Sequence, residues 1–150
     1  MAALDASMAA LLAIDASPYT VRIGIMGCAS IACKNSRAII RSERCTLVAV
    51  ASRELPKAEA FCDELKLPPF DYELPLHQTV RRLEGYNALF LVEGIDAVYI
   101  PLPTKLHKEW VLKAAAAGKH ILVEKPVGVN AQEGQEMIAA CRAAGGALMD

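Results

Sequence analysis

Short, continuous runs of apolar residues recur along most of the chain, and segments with helical spacing of apolar residues separate them. The runs predict β-strands at 21–26, 45–52, 95–103 (stopping at Pro101), 120–124 and 147–150. The segments between them predict helices at 30–42, 55–65, 86–93, 105–118 and 131–146. Because the strands are apolar throughout, we expect them to be buried on both faces of a mainly parallel sheet. The pattern predicts an α/β fold, a doubly wound Rossmann sheet.

Two segments depart from this alternation. Residues 66–82 are polar and rich in proline, which predicts a surface insertion outside the sheet. Residues 1–20 contain no basic residue, and aspartates flank their apolar stretch, so they fit neither a signal peptide nor a transit peptide. We expect residues 1–20 to form a loose tail or a short helix, and residues 21–150 to form one domain.

Charge and cysteine content argue against several classes of protein. The 16 basic and 17 acidic residues give a net charge of -1, which offers no basic surface to nucleic acid or anionic lipid. No apolar run reaches the roughly 18 residues that a membrane span needs. The cysteines are 5 in number, without C-x-x-C spacing, which argues against a disulfide framework or a zinc site. We expect a cytoplasmic protein that binds no metal, nucleic acid or membrane.

The first candidate site is "GCASIA", which follows the first strand and opens the first helix. It approximates the dinucleotide fingerprint G-x-G-x-x-G/A, in which a helix N-terminus holds a pyrophosphate. Ala29 stands where the second glycine would be, and Ala32 allows close helix packing. An ordinary strand-to-helix turn is the alternative, but the context favours phosphate binding. The residues concerned are Gly27, Cys28, Ala29, Ser30 and Ile31.

The second candidate site is the end of the second strand, where Ser52 falls 20 residues after Ala32. An NAD-binding site places Asp or Glu here to hold the ribose hydroxyls. This chain has Ser52 and Arg53, with Lys57 one turn further on, a set that suits the 2′-phosphate of NADP(H). Two alternatives stay open: Arg53 as an ordinary solvated charge, and Glu54 as a displaced acid.

The third candidate site is "PLPTKLH", which follows a buried strand. Its two prolines stiffen a loop at the sheet edge, and Thr104 can cap the next helix. We expect Pro101, Leu102, Thr104 and His107 to line the ligand crevice. For His107, a purely structural hydrogen bond is an equal alternative.

The fourth candidate site is "HILVEKPVGVN", in which a charged pair stands at the end of an apolar strand. Pro126 keeps Lys125 out of helical geometry, so the lysine side chain should project from the carboxyl end of the strand into the ligand crevice. Glu124 could pair with Lys125, and a surface charge pair is the alternative to a site. Tyr99 and Trp110 are interpreted as core residues.

These four segments in this order resemble the glucose–fructose oxidoreductase and inositol dehydrogenase (Gfo/Idh/MocA) family. The residues that carry the resemblance are "IGIMGCASIA", "VAVASR", "AVYIPLPTKLHKEW" and "AAAAGKHILVEKPVGVN". Within the family, the chain is most similar to the branch of dihydrodiol and NADP-dependent xylose dehydrogenases. The resemblance implies a Rossmann domain that binds NAD(P), with Pro101, Thr104 and His107 on the nicotinamide side. It also implies that Lys125 is catalytic, positioning or polarising the substrate oxygen.

The resemblance further implies a second α/β domain that supplies the acid/base residue and most of the substrate pocket, and we expect that domain to be absent from this chain. The function implied is that of an NADP(H)-preferring domain, with NAD(H) as the alternative cofactor. It would serve an oxidoreductase acting on a CH–OH group of a sugar or cyclic diol. A non-catalytic dinucleotide-binding regulatory module, or an inactive fragment, is the alternative. We expect a cis Lys125–Pro126 bond, and self-association into a homo-oligomer through the sheet edge at 147–150.

Overall fold

The computed structural model describes residues 19–71 and 79–150, in which six strands alternate with helices. The strands are β1 Val21–Met26, β2 Cys45–Ser52, β3 Arg81–Glu84, β4 Ala97–Ile100, β5 His120–Val123 and β6 Leu148–Met149. The α-helices are α1 Ser30–Arg41, α2 Leu55–Glu64, α3 Ala88–Leu91, α4 His107–Ala116 and α5 Ala131–Ala143, and a 3₁₀ turn spans Thr104–Leu106. The predicted tail lies outside the described residues up to position 18, as do residues 72–78 of the predicted insertion.

All strand pairs in the sheet are parallel, in the order β3-β2-β1-β4-β5-β6. The direction of winding reverses between β1 and β4, because β2 and β3 lie on one side of β1 while β4, β5 and β6 lie on the other. This arrangement confirms the predicted doubly wound Rossmann sheet. Ligands bind in such sheets at the carboxyl ends of the strands beside this reversal, which is where β1 and β4 end.

Each face of the sheet carries its own apolar core, as continuous apolar strands require. Ile25 of β1 faces α1 and α2, whereas its neighbour Met26 faces the other helices. On the first face, Ala32, Ile39, Ala58, Phe61 and Cys62 pack over the sheet. On the second face, Leu89, Val111, Ala114, Met137 and Cys141 do so.

Strand β3 corrects the prediction that residues 66–82 lie outside the sheet. Arg81 and Arg82 are the first residues of β3, and Pro69 forms a parallel bridge with Val80. The pattern gave no strand signal because "RRLE" is charged and occupies a sheet edge, where polar side chains are tolerated. The guanidinium of Arg82 donates to the Leu67 carbonyl at 3.0 Å, and that of Arg81 lies 3.7 Å from the centre of the Phe70 ring. These contacts tie the start of the predicted insertion to the strand.

Other elements are shorter than predicted. The helix expected at 86–93 is reduced to α3, which follows the left-handed turn at Gly85 with φ of 77°. The helix expected from residue 105 begins as the 3₁₀ turn at Thr104, so Thr104 does not cap α4. At the other edge, β6 pairs with β5 and the Met149 side chain is exposed. Self-association through this edge stays a prediction.

At the amino ends of β1 and β4, Arg22 and Asp96 bind each other through backbone and side chain. The Arg22 backbone N–H donates to Asp96 Oδ2 at 2.8 Å, and Nε donates to the same oxygen at 3.0 Å. A second guanidinium nitrogen reaches Oδ1 at 2.9 Å. The hydrogen bonds from Arg22 lower the pKa of Asp96 to about 2, against the raising effect of burial. The pair therefore fixes β1 against β4.

We expect Asp96→Asn to lower the free energy of unfolding by about 1–2 kcal/mol at pH 7, a range that allows for solvent screening at the part-exposed Arg22. The pKa of Asp96 is lower in the folded state than the unfolded value of about 3.9. Its stabilising effect is therefore present above about pH 4 and is lost as the pH falls towards about 2. Chemical denaturation of wild type and variant should give curves that converge over this range.

Asp63→Asn is the control, because Asp63 also pairs with an arginine but its side chain is 73% exposed. It should change the free energy of unfolding by less than about 0.5 kcal/mol. A pH-independent difference between wild type and Asp96→Asn would contradict the assignment of the stabilisation to the ionised carboxylate.

Candidate functional site

The turn after β1 requires glycine at position 27. Gly27 has φ of +107°, and a Cβ atom added there would lie 2.8 Å from the Leu102 Cδ2. The next helix, α1, starts after Ala29 without a side-chain cap and has no acidic residue in its first turn. Its first N–H groups are therefore available to an anion that approaches the turn. Ala32 is fully buried and lets α1 pack closely on the sheet, as predicted.

The end of β2 lies beside this turn. Ser52 is 3% exposed, and its hydroxyl lies beside the Cys28 thiol. Burial raises the pKa of Cys28, while Ser52 and the nearby Lys57 ammonium lower it. Arg53 is exposed at the start of the loop that leads into α2. The structure thus brings Ser52 and Lys57 close to Cys28 of the glycine turn.

A cavity of about 440 Å³ opens between α1 and α2 next to Cys28, Ser30 and Lys57. Lys34 and Arg37 also line it, so three cationic side chains face the same space together with Glu64. Sequence reasoning missed Lys34 and Arg37. Their spacing of three residues along a helix was a signal that they share a face.

His107 contacts the loop after β4 from its buried side. The His107 side chain is fully buried, and its Nε2 lies 2.7 Å from the Leu102 carbonyl oxygen. Its Nδ1 lies 3.1 Å from the carbonyl oxygens of both Pro126 and Val127. The ring therefore joins the loop after β4 to the loop after β5 and does not reach the surface of the crevice. Of the two interpretations of His107, the geometry supports the structural hydrogen bond.

At the end of β5, Glu124 is hydrogen-bonded to residues other than Lys125. The Glu124 carboxylate accepts hydrogen bonds from the Tyr99 hydroxyl and, at 3.2 Å, from Asn35 Nδ2. Asn35 Nδ2 also lies 2.6 Å from the Tyr99 hydroxyl oxygen, which ties α1 to β4 and β5. Burial, followed by the Glu124 carboxylate, raises the pKa of Tyr99. Sequence reasoning placed Tyr99 in the core, where it is 1% exposed, but could not identify this network.

Lys125 is left exposed by this arrangement, and it forms no ion pair within residues 19–71 and 79–150. The sequence allowed an ion pair between Glu124 and Lys125, but the two side chains do not form one. The Lys125–Pro126 peptide bond is cis, as predicted. An unpaired ammonium at a strand end has its donors available to an oxygen atom of a ligand.

The four predicted segments form one continuous edge. Leu102 contacts the glycine turn, Ser52 contacts Cys28, and His107 links Leu102 to the residues that follow Lys125. Within the described ranges, no cluster of His, Cys, Asp or Glu could hold a metal ion. None of the helices described combines the length and apolar character that a membrane crossing demands.

We expect His107→Gln to lower the free energy of unfolding by about 1–3 kcal/mol, because a flexible amide group cannot serve the buried carbonyl groups of both loops at once. Amide hydrogen exchange should quicken around Leu102 and Val127 together. His120→Gln is the control: His120 is exposed and accepts one hydrogen bond, from the Ala147 N–H at 3.1 Å, so its loss should cost less. Faster exchange in only one of the two loops would contradict the conclusion that His107 holds both loops.

Comparison with known proteins agrees with this geometry. Residues 21–149 match the family model GFO_IDH_MocA, described as an oxidoreductase family with an NAD-binding Rossmann fold. The chain is 36% identical to D-xylose 1-dehydrogenase (NADP(+)) 2 from Haloferax volcanii, over 85% of this chain and 35% of that protein. It is 36% identical to trans-1,2-dihydrobenzene-1,2-diol dehydrogenase from Mus musculus, over 69% of this chain and 28% of that protein.

Among solved structures, the chain resembles KijD10, a 3-ketoreductase from Actinomadura kijaniata in complex with NADP and TDP-benzene. The TM-score is 0.74 at 34% sequence identity, covering 87% of this chain and 36% of KijD10. The chain thus spans only about a third of the length of such relatives. It belongs to the Gfo/Idh/MocA oxidoreductase family, of which it contains the NAD-binding Rossmann domain.

Proposed function

We propose that this chain is the NADP(H)-binding domain of an oxidoreductase that interconverts a CH–OH group and a carbonyl group in a sugar or a cyclic diol. The observation that carries the proposal is the meeting of three features at one sheet edge: the glycine turn, the basic end of β2, and the unpaired Lys125. When bound, the nicotinamide group supplies the hydride donor or acceptor, and the protein supplies binding and orientation.

The glycine turn fits a pyrophosphate. The positive φ of Gly27 turns the chain directly from β1 into α1, and the uncapped start of α1 offers N–H groups to negative charge. Cys28, Ala29, Ser30 and Ile31 form the rest of this cradle in the proposal. Ala29 in place of the second glycine adds one methyl group, which the β-region backbone at Ala29, with φ of -75°, accommodates without strain.

The preference for NADP(H) rests on the charge at the end of β2. Ser52, Arg53 and Lys57 supply a hydroxyl and two cations where an NAD site has a carboxylate. Glu54 is exposed and makes no capping hydrogen bond at α2, so nothing directs it into the site as a displaced acid. Lys34 and Arg37 add positive charge nearby, and the names of the Haloferax relative and of the KijD10 complex both include NADP.

Lys125 is the catalytic residue of this proposal. Its ammonium group can donate a hydrogen bond to the substrate oxygen and stabilise negative charge that develops there as the carbonyl is reduced. Pro101, Leu102, Thr104 and Pro126 frame the nicotinamide side, and His107 supports them from below. Glu124 remains hydrogen-bonded to Tyr99 and so leaves Lys125 available, because a carboxylate paired with Lys125 would compete with the substrate.

A small-molecule substrate with an alcohol or carbonyl carbon is the partner that we propose. The names of the relatives refer to D-xylose, a dihydrobenzenediol and a ketone, which supports a sugar or a cyclic diol. A non-catalytic, dinucleotide-binding regulatory module is the second candidate. One observation favours it: His107 is buried against backbone carbonyls and Glu124 is bound to Tyr99, so neither is free to exchange a proton with a substrate.

Titration of nicotinamide fluorescence should show tighter binding of NADPH than of NADH. We expect Arg53→Ala to weaken NADPH binding by about 10- to 100-fold, the effect of one hydrogen-bonded charge, and to leave NADH binding unchanged. Arg142→Ala, which removes an exposed guanidinium from the last turn of α5, is the control. Equal affinities of the wild type for the two cofactors would refute the NADP preference.

We expect Lys125→Ala to preserve NADPH binding and to reduce carbonyl-dependent oxidation of NADPH by at least about 100-fold. Lys108→Ala, which removes an ammonium paired with Glu136 on the surface, should change neither quantity. Unchanged turnover in Lys125→Ala would reduce Lys125 to a surface charge. A wild-type protein that binds NADPH but oxidises it with no sugar or diol-derived ketone would favour the regulatory module or an inactive fragment.

A further inference from the structure

Tyr86 occupies a position in the crevice that its place in the sequence did not indicate. It follows Gly85, whose N–H donates to the Ser52 carbonyl oxygen at 2.7 Å. The end of β3 is thereby fixed against the end of β2, and Tyr86 is brought beside the residue after Ser52, which is Arg53. The left-handed turn at Gly85 directs the chain back over the sheet towards α3.

The Tyr86 ring is held so that its hydroxyl faces the glycine turn. The ring meets Trp110 of α4 edge to face, with centroids 5.1 Å apart and an interplanar angle of 88°. The Lys113 ammonium lies 4.2 Å from the centre of the Trp110 ring, which helps to fix that side chain. The Tyr86 hydroxyl oxygen would lie 3.9 Å from a Cβ on Gly27. The phenol group therefore lines the crevice next to the glycine turn, where the pyrophosphate is proposed to bind.

Arg53 is the polar neighbour of this hydroxyl. Burial raises the pKa of Tyr86, and the nearby Arg53 guanidinium lowers it. No carboxylate within residues 19–71 and 79–150 forms an ion pair with Arg53. A guanidinium has several N–H groups in a planar fork, so one hydrogen bond to a phenol oxygen leaves the others available to a phosphate.

We propose that Tyr86 is a specificity-determining positioning residue: its hydroxyl accepts a hydrogen bond from Arg53 and holds the guanidinium at the crevice for the 2′-phosphate of NADP(H). An exposed arginine loses considerable side-chain freedom when it binds a ligand, and a partner that fixes it beforehand reduces that cost. Tyr86 thus acts through Arg53, while Ser52 and Lys57 approach the same phosphate from the side of α2. The inference rests on the NADP(H) preference stated in the proposed function.

The test compares NADPH and NADH affinities of the full chain by fluorescence titration. We expect Tyr86→Phe to weaken NADPH binding by about three- to tenfold and to leave NADH binding unchanged. Tyr19→Phe is the control, because Tyr19 is a 57% exposed tyrosine next to the amino end of β1. Thermal melting of both variants checks that each remains folded. An equal loss for the two cofactors would mean that Tyr86 is only part of the scaffold, and would overturn the proposal.

The double variant Tyr86→Phe/Arg53→Ala tests whether Tyr86 acts through Arg53. If it does, the tyrosine substitution should have no further effect on NADPH binding once Arg53 is absent. A persisting effect would overturn the positioning role. A wild type without NADPH preference would overturn the cofactor preference and this inference together. A wild type that prefers NADPH, with an unchanged preference in Tyr86→Phe, would overturn this inference alone.

Discussion

The crevice of this domain depends on the packing of the Leu102 side chain against the turn at Gly27. The Leu102 side chain occupies the space where any other residue would place its Cβ, and the positive φ of Gly27 turns the chain directly from β1 into α1. A side chain at position 27 would displace the end of the Leu102 side chain and would also strain the turn. The Leu102 carbonyl in turn faces the buried His107 ring, which also faces the carbonyl of Pro126. Gly27 and His107 together therefore link the loops that follow β1, β4 and β5.

The charged groups of the crevice are kept apart by hydrogen bonds that compete with ion pairing. Glu124 and Lys125 are neighbours in the chain and line the same cavity. Tyr99 and Asn35 satisfy the carboxylate by hydrogen bonding, so Glu124 does not need the lysine as a partner. A half-buried carboxylate without these donors would be unfavourable unless it turned to the lysine. The charge of Lys125 is thus available because of residues on two other elements.

Most of the fold could be predicted from the pattern of apolar residues, because continuous runs are required of strands covered on both faces. Strand β3 could not be predicted, because Arg81, Arg82 and Glu84 interrupt the apolar pattern that indicates a strand. These charged residues are tolerated because β3 pairs on one side only. The backbone segments of the site were predictable from their positions after strands. The partners of individual side chains were not, because Asn35 and Glu124 are 89 residues apart and meet only in the folded sheet. For the same reason Tyr86 was interpreted as a helix residue, although it faces Gly27.

The thiol at the glycine turn has a consequence for the chemical durability of the domain. Burial raises the pKa of Cys28, and the same cause raises the pKa of Cys33 and brings that of Cys62 to about 11. Thiolates, rather than thiols, react with peroxides and electrophiles, so these three sulfur atoms are poor targets at neutral pH. The sulfur atom at the glycine turn therefore stays mainly in its thiol form, the form that oxidants modify slowly.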